Sequence, residues 1–112
     1  MEIKTSQESG LIVLELRGRL MEDACKELVT EATSRLKAPG LKIVVDLKNI
    51  LYISSAGLGS LMIIHEKAQA SGCIAYIINA SPAVKKLLKI TSMGSVLNIR
   101  QSKEEVLAGT SP

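Results

Sequence analysis

The chain predicts an α/β domain: a mixed sheet of four or five strands, opening on an antiparallel hairpin, with about four helices. Three observations carry this expectation. The stretch after Gln7-Glu8-Ser9-Gly10 alternates apolar and polar residues, with Ile12, Leu14 and Leu16 on one side and Glu15 and Arg17 on the other, the period of a half-buried strand. Ile43-Val44-Val45 is an unbroken β-branched run, as expected of a strand covered on both faces. Between and after these runs lie stretches with helical spacing and helical punctuation.

Taken in order, Ile3 to Ser6 and Leu11 to Arg17 form the hairpin arms, and Gly18 is expected to end the second arm. From Glu22 to Lys37, Ala24, Leu28, Ala32 and Leu36 recur every four residues with Cys25 and Val29 beside them. That spacing makes an amphipathic helix, and Pro39-Gly40 stops it. Leu41 to Leu47 is the next strand, Lys48 to Ser54 a loop, and Ser55 to Ala70 a helix broken by Ser71-Gly72. Ile74 to Ile78 is a short buried strand. Ser81-Pro82 reads as an N-cap followed by a proline in the first turn of a helix ending near Ile90. An edge strand at Ser95 to Ile99 and a short helix at Lys103 to Leu107 complete the order β-β-α-β-α-β-α-β-α. Residues 1–108 are expected to be the domain and 109–112 a frayed tail.

Composition narrows the function classes. A chain of 112 residues holds one ordinary domain, and 46% apolar residues can build its core. No apolar run is long enough to span a bilayer, and Met1 to Gly10 has no apolar signal region, so the expected address is the cytoplasm. The net charge is +3, from 14 Lys and Arg against 11 Asp and Glu. With two tyrosines, no Trp and no Phe, the chain lacks the aromatic platform of a single-strand nucleic-acid binder. Cys25, Cys73 and one histidine cannot furnish a four-ligand zinc site, and no cofactor or metal is expected.

The informative stretch runs from Asp46 through Ile53-Ser54-Ser55-Ala56-Gly57-Leu58-Gly59. A serine at a strand-to-helix junction is most simply an N-cap. At 100° per residue, however, Gly57, Leu58, Leu61, Ile64 and Ala68 face the core, while Ser55, Gly59, Met62, Ile63 and Glu66 form a second stripe. An exposed Ile beside Met, Gly and Ser suits a contact surface for another protein.

Ile53-Ser54-Ser55-Ala56-Gly57-Leu58-Gly59 resembles the signature loop of the bacterial anti-sigma-factor antagonists, the sulphate-transporter and anti-sigma-antagonist (STAS) domain family. Ser81-Pro82-Ala83-Val84-Lys85-Lys86-Leu87-Leu88 with Gly94 resembles that family's next helix, and Gly18-Arg19-Leu20 the end of its second strand. The resemblance covers the whole chain in order. It implies a STAS-like fold and a protein that, unphosphorylated, binds an anti-sigma factor, often itself a serine kinase, and so frees a sigma factor. It implies Ser55 as the phosphorylated residue whose modification releases the partner, with Ser54 as a minor alternative. A serine phosphatase and a weak dimer are the further partners considered. The partner surface expected is Met21, Glu22, Asp23, Ser54, Ser55, Gly57, Gly59, Met62, Ile63 and Glu66. Two positions depart from the family: Ser54 stands where an acid usually precedes the phosphorylated serine, and Met21 where an Asp follows Gly-x-Leu.

Other readings of the same residues weigh less. Asp46 could be a receiver-type phosphoacceptor, but no acidic pair follows the first strand to hold Mg²⁺. Gly57-x-Gly59 completes no nucleotide-binding motif, His65 falls on the core side of its helix, and Asn79-Ala80-Ser81 is a chance sequon. Lys85, Lys86 and Lys89 read as a solvated face. No nucleophile is paired with a base, so no enzyme is expected. The competing reading is a STAS-type scaffold subunit of a signalling or transport assembly, whose serine is only a cap.

Overall fold

The computed structural model describes residues 1–108; the expected frayed tail at 109–112 lies outside the described residues. The elements are β1 (Glu2–Glu8), β2 (Leu11–Leu20), α1 (Glu22–Ser34), β3 (Lys42–Ile53), α2 (Ser55–Ala70), β4 (Ile74–Ile78), α3 (Pro82–Ile90), β5 (Asn98–Ile99) and α4 (Lys103–Leu107), with a 3₁₀ turn at Met93–Ser95 before β5. The sheet has five strands in the order β1-β2-β3-β4-β5. β1 and β2 are antiparallel and the remaining pairs parallel, so the mixed sheet with its N-terminal hairpin is as expected. The hairpin turn is shorter than expected: Glu8 pairs with Leu11, and only Ser9 and Gly10 remain, at φ 49° and 83°. Positive φ at both central residues is the turn that matches strand twist, and glycine takes it without strain.

β2 and β3 run on past their expected ends. Gly18 does not end β2; the strand runs on to Leu20. The expected loop Lys48 to Ser54 is largely strand, because β3 stays paired to this extension of β2 through Tyr52 and Ile53. Two register shifts let β3 do so. Arg17 pairs with Asn49 where Glu15 paired with Asp46, and Arg19 pairs with Tyr52 where Gly18 paired with Ile50. Each shift places an extra residue on β3. They re-phase its side chains so that Ile50 and Ile53 both reach the core while Leu51 and Tyr52 stay outside. Period-two reading from Ile43 cannot anticipate that. α1 stops at Ser34 rather than Lys37, and β5 is two residues rather than five, its first part taken by the 3₁₀ turn.

Both sheet faces are buried. Leu14, Leu16, Leu20, Val45, Leu47, Ile50 and Ile53 pack with Leu28 of α1, Leu58, Leu61 and Ile64 of α2, and Leu88 of α3. On the other face Leu11, Val13, Val44, Tyr76 and Ile78 pack with Val106 of α4. That second cluster is why Ile43-Val44-Val45 shows no alternation: neighbours on opposite faces are both covered. At about 25 cal/mol per Å² of apolar surface removed from water, this double burial is the main source of stability.

Candidate functional site

The N-terminus of α2 sits against the end of β2, and small residues make the approach close. The Ser54 amide donates to the Leu20 carbonyl at 3.1 Å. A Cβ added to Gly57 would stand 2.5 Å from that same oxygen and 2.8 Å from Ile53 Cγ2. Only glycine fits there, so Gly57 packs inward and presents no side chain to a partner. Gly59 differs: an added Cβ would meet nothing within 4 Å.

The two serines are sorted by hydrogen bonding. Ser54 has extended backbone, at φ −84° and ψ 173°. Its Oγ accepts from the Gly57 amide at 3.1 Å, and the hydroxyl faces the Leu20 carbonyl at 3.4 Å. It is the N-cap, satisfying one of the helix's orphan amides. Ser55 is the first helical residue; it is exposed, and its hydroxyl makes no hydrogen bond among the described residues. The cap and the accessible hydroxyl are therefore adjacent but separate groups.

Beside them, α1 and α2 enclose a cleft of about 330 Å³ lined by Cys25, Lys26, Val29, Thr30, Ala56, Gly59, Ser60 and Ile63. Its floor is quiet chemically. Ser60 is buried and donates to the Gly57 carbonyl at 2.6 Å. Burial, chiefly, and the Glu22 charge after it push the Cys25 thiol up from its ordinary range, which keeps it a protonated, unreactive group. Of the expected partner residues, Gly59 and Ile63 line this cleft, and Ile63 is 42% exposed. Ser55 and Glu66 are exposed on α2, while Met62 is half-buried against the core. Met21, Glu22 and Asp23 are exposed at the start of α1; Asp23 borders a separate polar cleft with Lys26, Thr30 and Glu31.

Sequence reasoning missed the α1 side of the apolar cleft, Lys26, Val29 and Thr30, and missed Leu51 and Tyr52. The available signal for the first was Cys25 and Val29, spaced i, i+4 beside the core stripe. Other candidates settle into structural roles. Asp46 is buried at 3% exposure, where its carboxylate accepts from the Lys48 amide at 2.9 Å and from Asn79 Nδ2 at 3.1 Å. His65 is packed in α2 at 6% exposure, its Nδ1 without a partner among the described residues. Among the described residues no group of three or more His, Cys, Asp or Glu could hold a metal, and no helix is long and apolar enough to cross a membrane.

Comparison with known proteins agrees with this architecture. The STAS domain profile matches residues 2–106, and the chain belongs to the STAS domain family. A STAS-domain-containing protein of Pseudomonas aeruginosa is 27% identical over 94 residues, 84% of this chain and 92% of that protein. Solved structures show the same fold at low identity. The anti-sigma factor antagonist SpoIIAA in its unphosphorylated form superposes with a TM-score of 0.77 at 16% identity, over 99% of this chain and 100% of that one. An anti-sigma-factor antagonist (STAS) domain protein from Planctomyces limnophilus gives 0.82 at 17% identity, over 97% of both chains. A sulfate transporter family protein from Wolinella succinogenes gives 0.76 at 13% identity, over 90% of this chain and 84% of that one.

Proposed function

We propose that this domain is a phosphorylation-released binding module of the anti-sigma-factor antagonist type. Unmodified, it binds an anti-sigma factor that is also a serine kinase; phosphorylation of Ser55 releases it, and a serine phosphatase restores it. The observation that carries this reading is the division of labour at α2. Ser54 is consumed by the cap, and Ser55 stands free beside an apolar cleft that another protein's side chain can fill.

A phosphate on Ser55 adds about −1.5 to −2 charges. At a helix N-terminus that charge faces the positive end of the dipole, worth about 0.3–1 kcal/mol in favour of the folded state. Release therefore comes from the interface, where a bulky dianion replaces a hydroxyl and must be desolvated. A penalty of about 3 kcal/mol weakens binding roughly a hundredfold. The likeness to SpoIIAA supports this reading; the likeness to a sulfate transporter family protein favours the alternative, a scaffold subunit without a switch. The deciding experiment incubates the protein with a candidate kinase and ATP, locates phosphate by mass spectrometry, and compares partner affinity before and after. Phosphate on Ser55 with a large loss of affinity is expected. No incorporation, incorporation chiefly at Ser54, or unchanged affinity overturns the switch and leaves the scaffold.

A further inference from the structure

The distal ends of β2 and β3 carry a surface that the α2 stripe does not include. Beyond Asp46, β3 has no β4 partner, because β4 pairs only with Lys42 through Asp46. The ladder continues on the β2 side alone, with Arg17 opposite Asn49 and Arg19 opposite Tyr52. Leu51 is the extra residue at the second register shift. It is 81% exposed, more than any other exposed large apolar side chain among the described residues, and Tyr52 beside it is 51% exposed. Arg17, Arg19 and Lys48 are exposed, and none makes an ion pair or a side-chain hydrogen bond among the described residues. The residues Arg17–Leu20 and Asn49–Ile53 include no acid. Glu2, cross-strand from Arg17, and Glu15 share a cleft with Arg17 and Asn49 at one border of the patch, with Lys4 beside them, while the Arg19, Leu51 and Tyr52 end lies outside that cleft.

We infer that this patch is a second docking surface, for an acidic, extended segment of a protein partner that places an apolar side chain against Leu51 and Tyr52. Charge complementarity selects the occupant. Arg17 and Arg19 alternate along one strand about 6–7 Å apart, a spacing that alternate residues of an extended acidic segment match, and guanidinium groups bind carboxylates in bidentate fashion. The shifts in register interrupt the backbone hydrogen-bonding repeat that strand addition requires, so recognition here is by side chains. A membrane surface fits less well, since two apolar side chains do not make the continuous apolar face that interfacial binding uses.

The patch also adjoins the switch. Leu20, next to Arg19, accepts from the Ser54 amide at 3.1 Å, and Tyr52 lies three residues before Ser55. A phosphate on Ser55 adds negative charge near the end of β2, where the strand meets the start of α2. It lowers the patch's attraction for an acidic segment. This regulatory consequence rests on the proposed phosphorylation of Ser55; the docking surface itself does not.

The test is titration of the ¹⁵N-labelled full chain with a short synthetic peptide of glutamates flanking a central leucine, followed by amide chemical shifts. Shifts are expected at Arg17 to Arg19 and Lys48 to Tyr52. Affinity should fall at least about tenfold in Arg19→Glu and in Leu51→Ser, and should fall as salt rises. Both side chains are exposed, so both variants should keep the native spectrum; Arg17→Glu provides a second charge reversal. A lysine peptide of the same length and phosphatidylglycerol vesicles serve as controls. Absence of shifts, shifts centred instead on Lys85, Lys86 and Lys89, unchanged affinity in the variants, or binding to vesicles but not to peptide overturns the inference. Ser55→Ala separates the two proposals: it should retain peptide docking in full while abolishing phosphorylation, so either result can fail alone.

Discussion

The tightest steric statement in the structure concerns two glycines separated by one residue. In Gly57→Ala the new methyl carbon meets the Leu20 carbonyl oxygen at 2.5 Å and Ile53 Cγ2 at 2.8 Å. A backbone oxygen cannot rotate aside, so the first turn of α2 must move off β2, straining the Ser54–Leu20 contacts at 3.1 and 3.4 Å. Overpacking of this kind costs about 1–3 kcal/mol, and a backbone clash belongs at the upper end. Alanine's better helix propensity offsets about 0.5–1 kcal/mol, leaving a net loss of about 2 kcal/mol. With an unfolding entropy of about 2.1 cal/mol/K per residue, about 0.24 kcal/mol/K here, Tm should fall by about 8 °C. Gly59→Ala adds the same methyl to open space and keeps only the propensity gain, so Tm should rise by about 2–4 °C. Calorimetry on both variants, with urea unfolding to check that the m-value holds, measures the pair. Shifts of the same sign, or an unchanged Tm in Gly57→Ala, would refute the close approach of α2 to β2.

The remaining predictions concern neighbouring groups. Ser54→Ala should cost about 1 kcal/mol through loss of the cap, whereas Ser55→Ala should leave stability within about 0.5 kcal/mol and abolish phosphorylation; equal effects of the two in denaturant melts would contradict the assignment of cap and acceptor. Ile63→Asp should lower stability by under about 1 kcal/mol, because the side chain is 42% exposed. It should nevertheless weaken partner binding at least tenfold in calorimetric titration by forcing a charge into an apolar contact; an unfolded variant would mean that Ile63 is core. The Thr5 hydroxyl, first, and then Arg35 hold the Glu31 carboxyl below the usual carboxylate range. A lowered native pKa contributes stability that is present above the unfolded value, about 4.3, and lost as pH falls through the native one. The stability gap between wild type and Glu31→Gln should accordingly close below about pH 4 in urea titrations, and a gap that persists there would argue against the contact.

What the sequence determined by itself is whatever depends on local repeats and punctuation. α2, β4, α3 and α4 begin and end where the capping serines, Pro82 and the breaks at Ser71-Gly72 place them, because caps and apolar periods act within a few residues. The core face of α2 and the exposure of Ser55 and Ile63 followed from helical phase alone. The tertiary structure decided what depends on a neighbour distant in sequence. β3 continues to Ile53 only because β2 continues beside it to Leu20, and two extra residues on one strand reset which side chains face out, so Leu51 and Tyr52 became surface without any period to reveal them. The same holds for the two glycines. Gly57 became irreplaceable through the Leu20 carbonyl, 37 positions away in the chain, while Gly59 opens onto a cleft whose other wall belongs to α1. Local patterns specify each element and its buried face; the close approaches between elements assign each exposed or small residue its role.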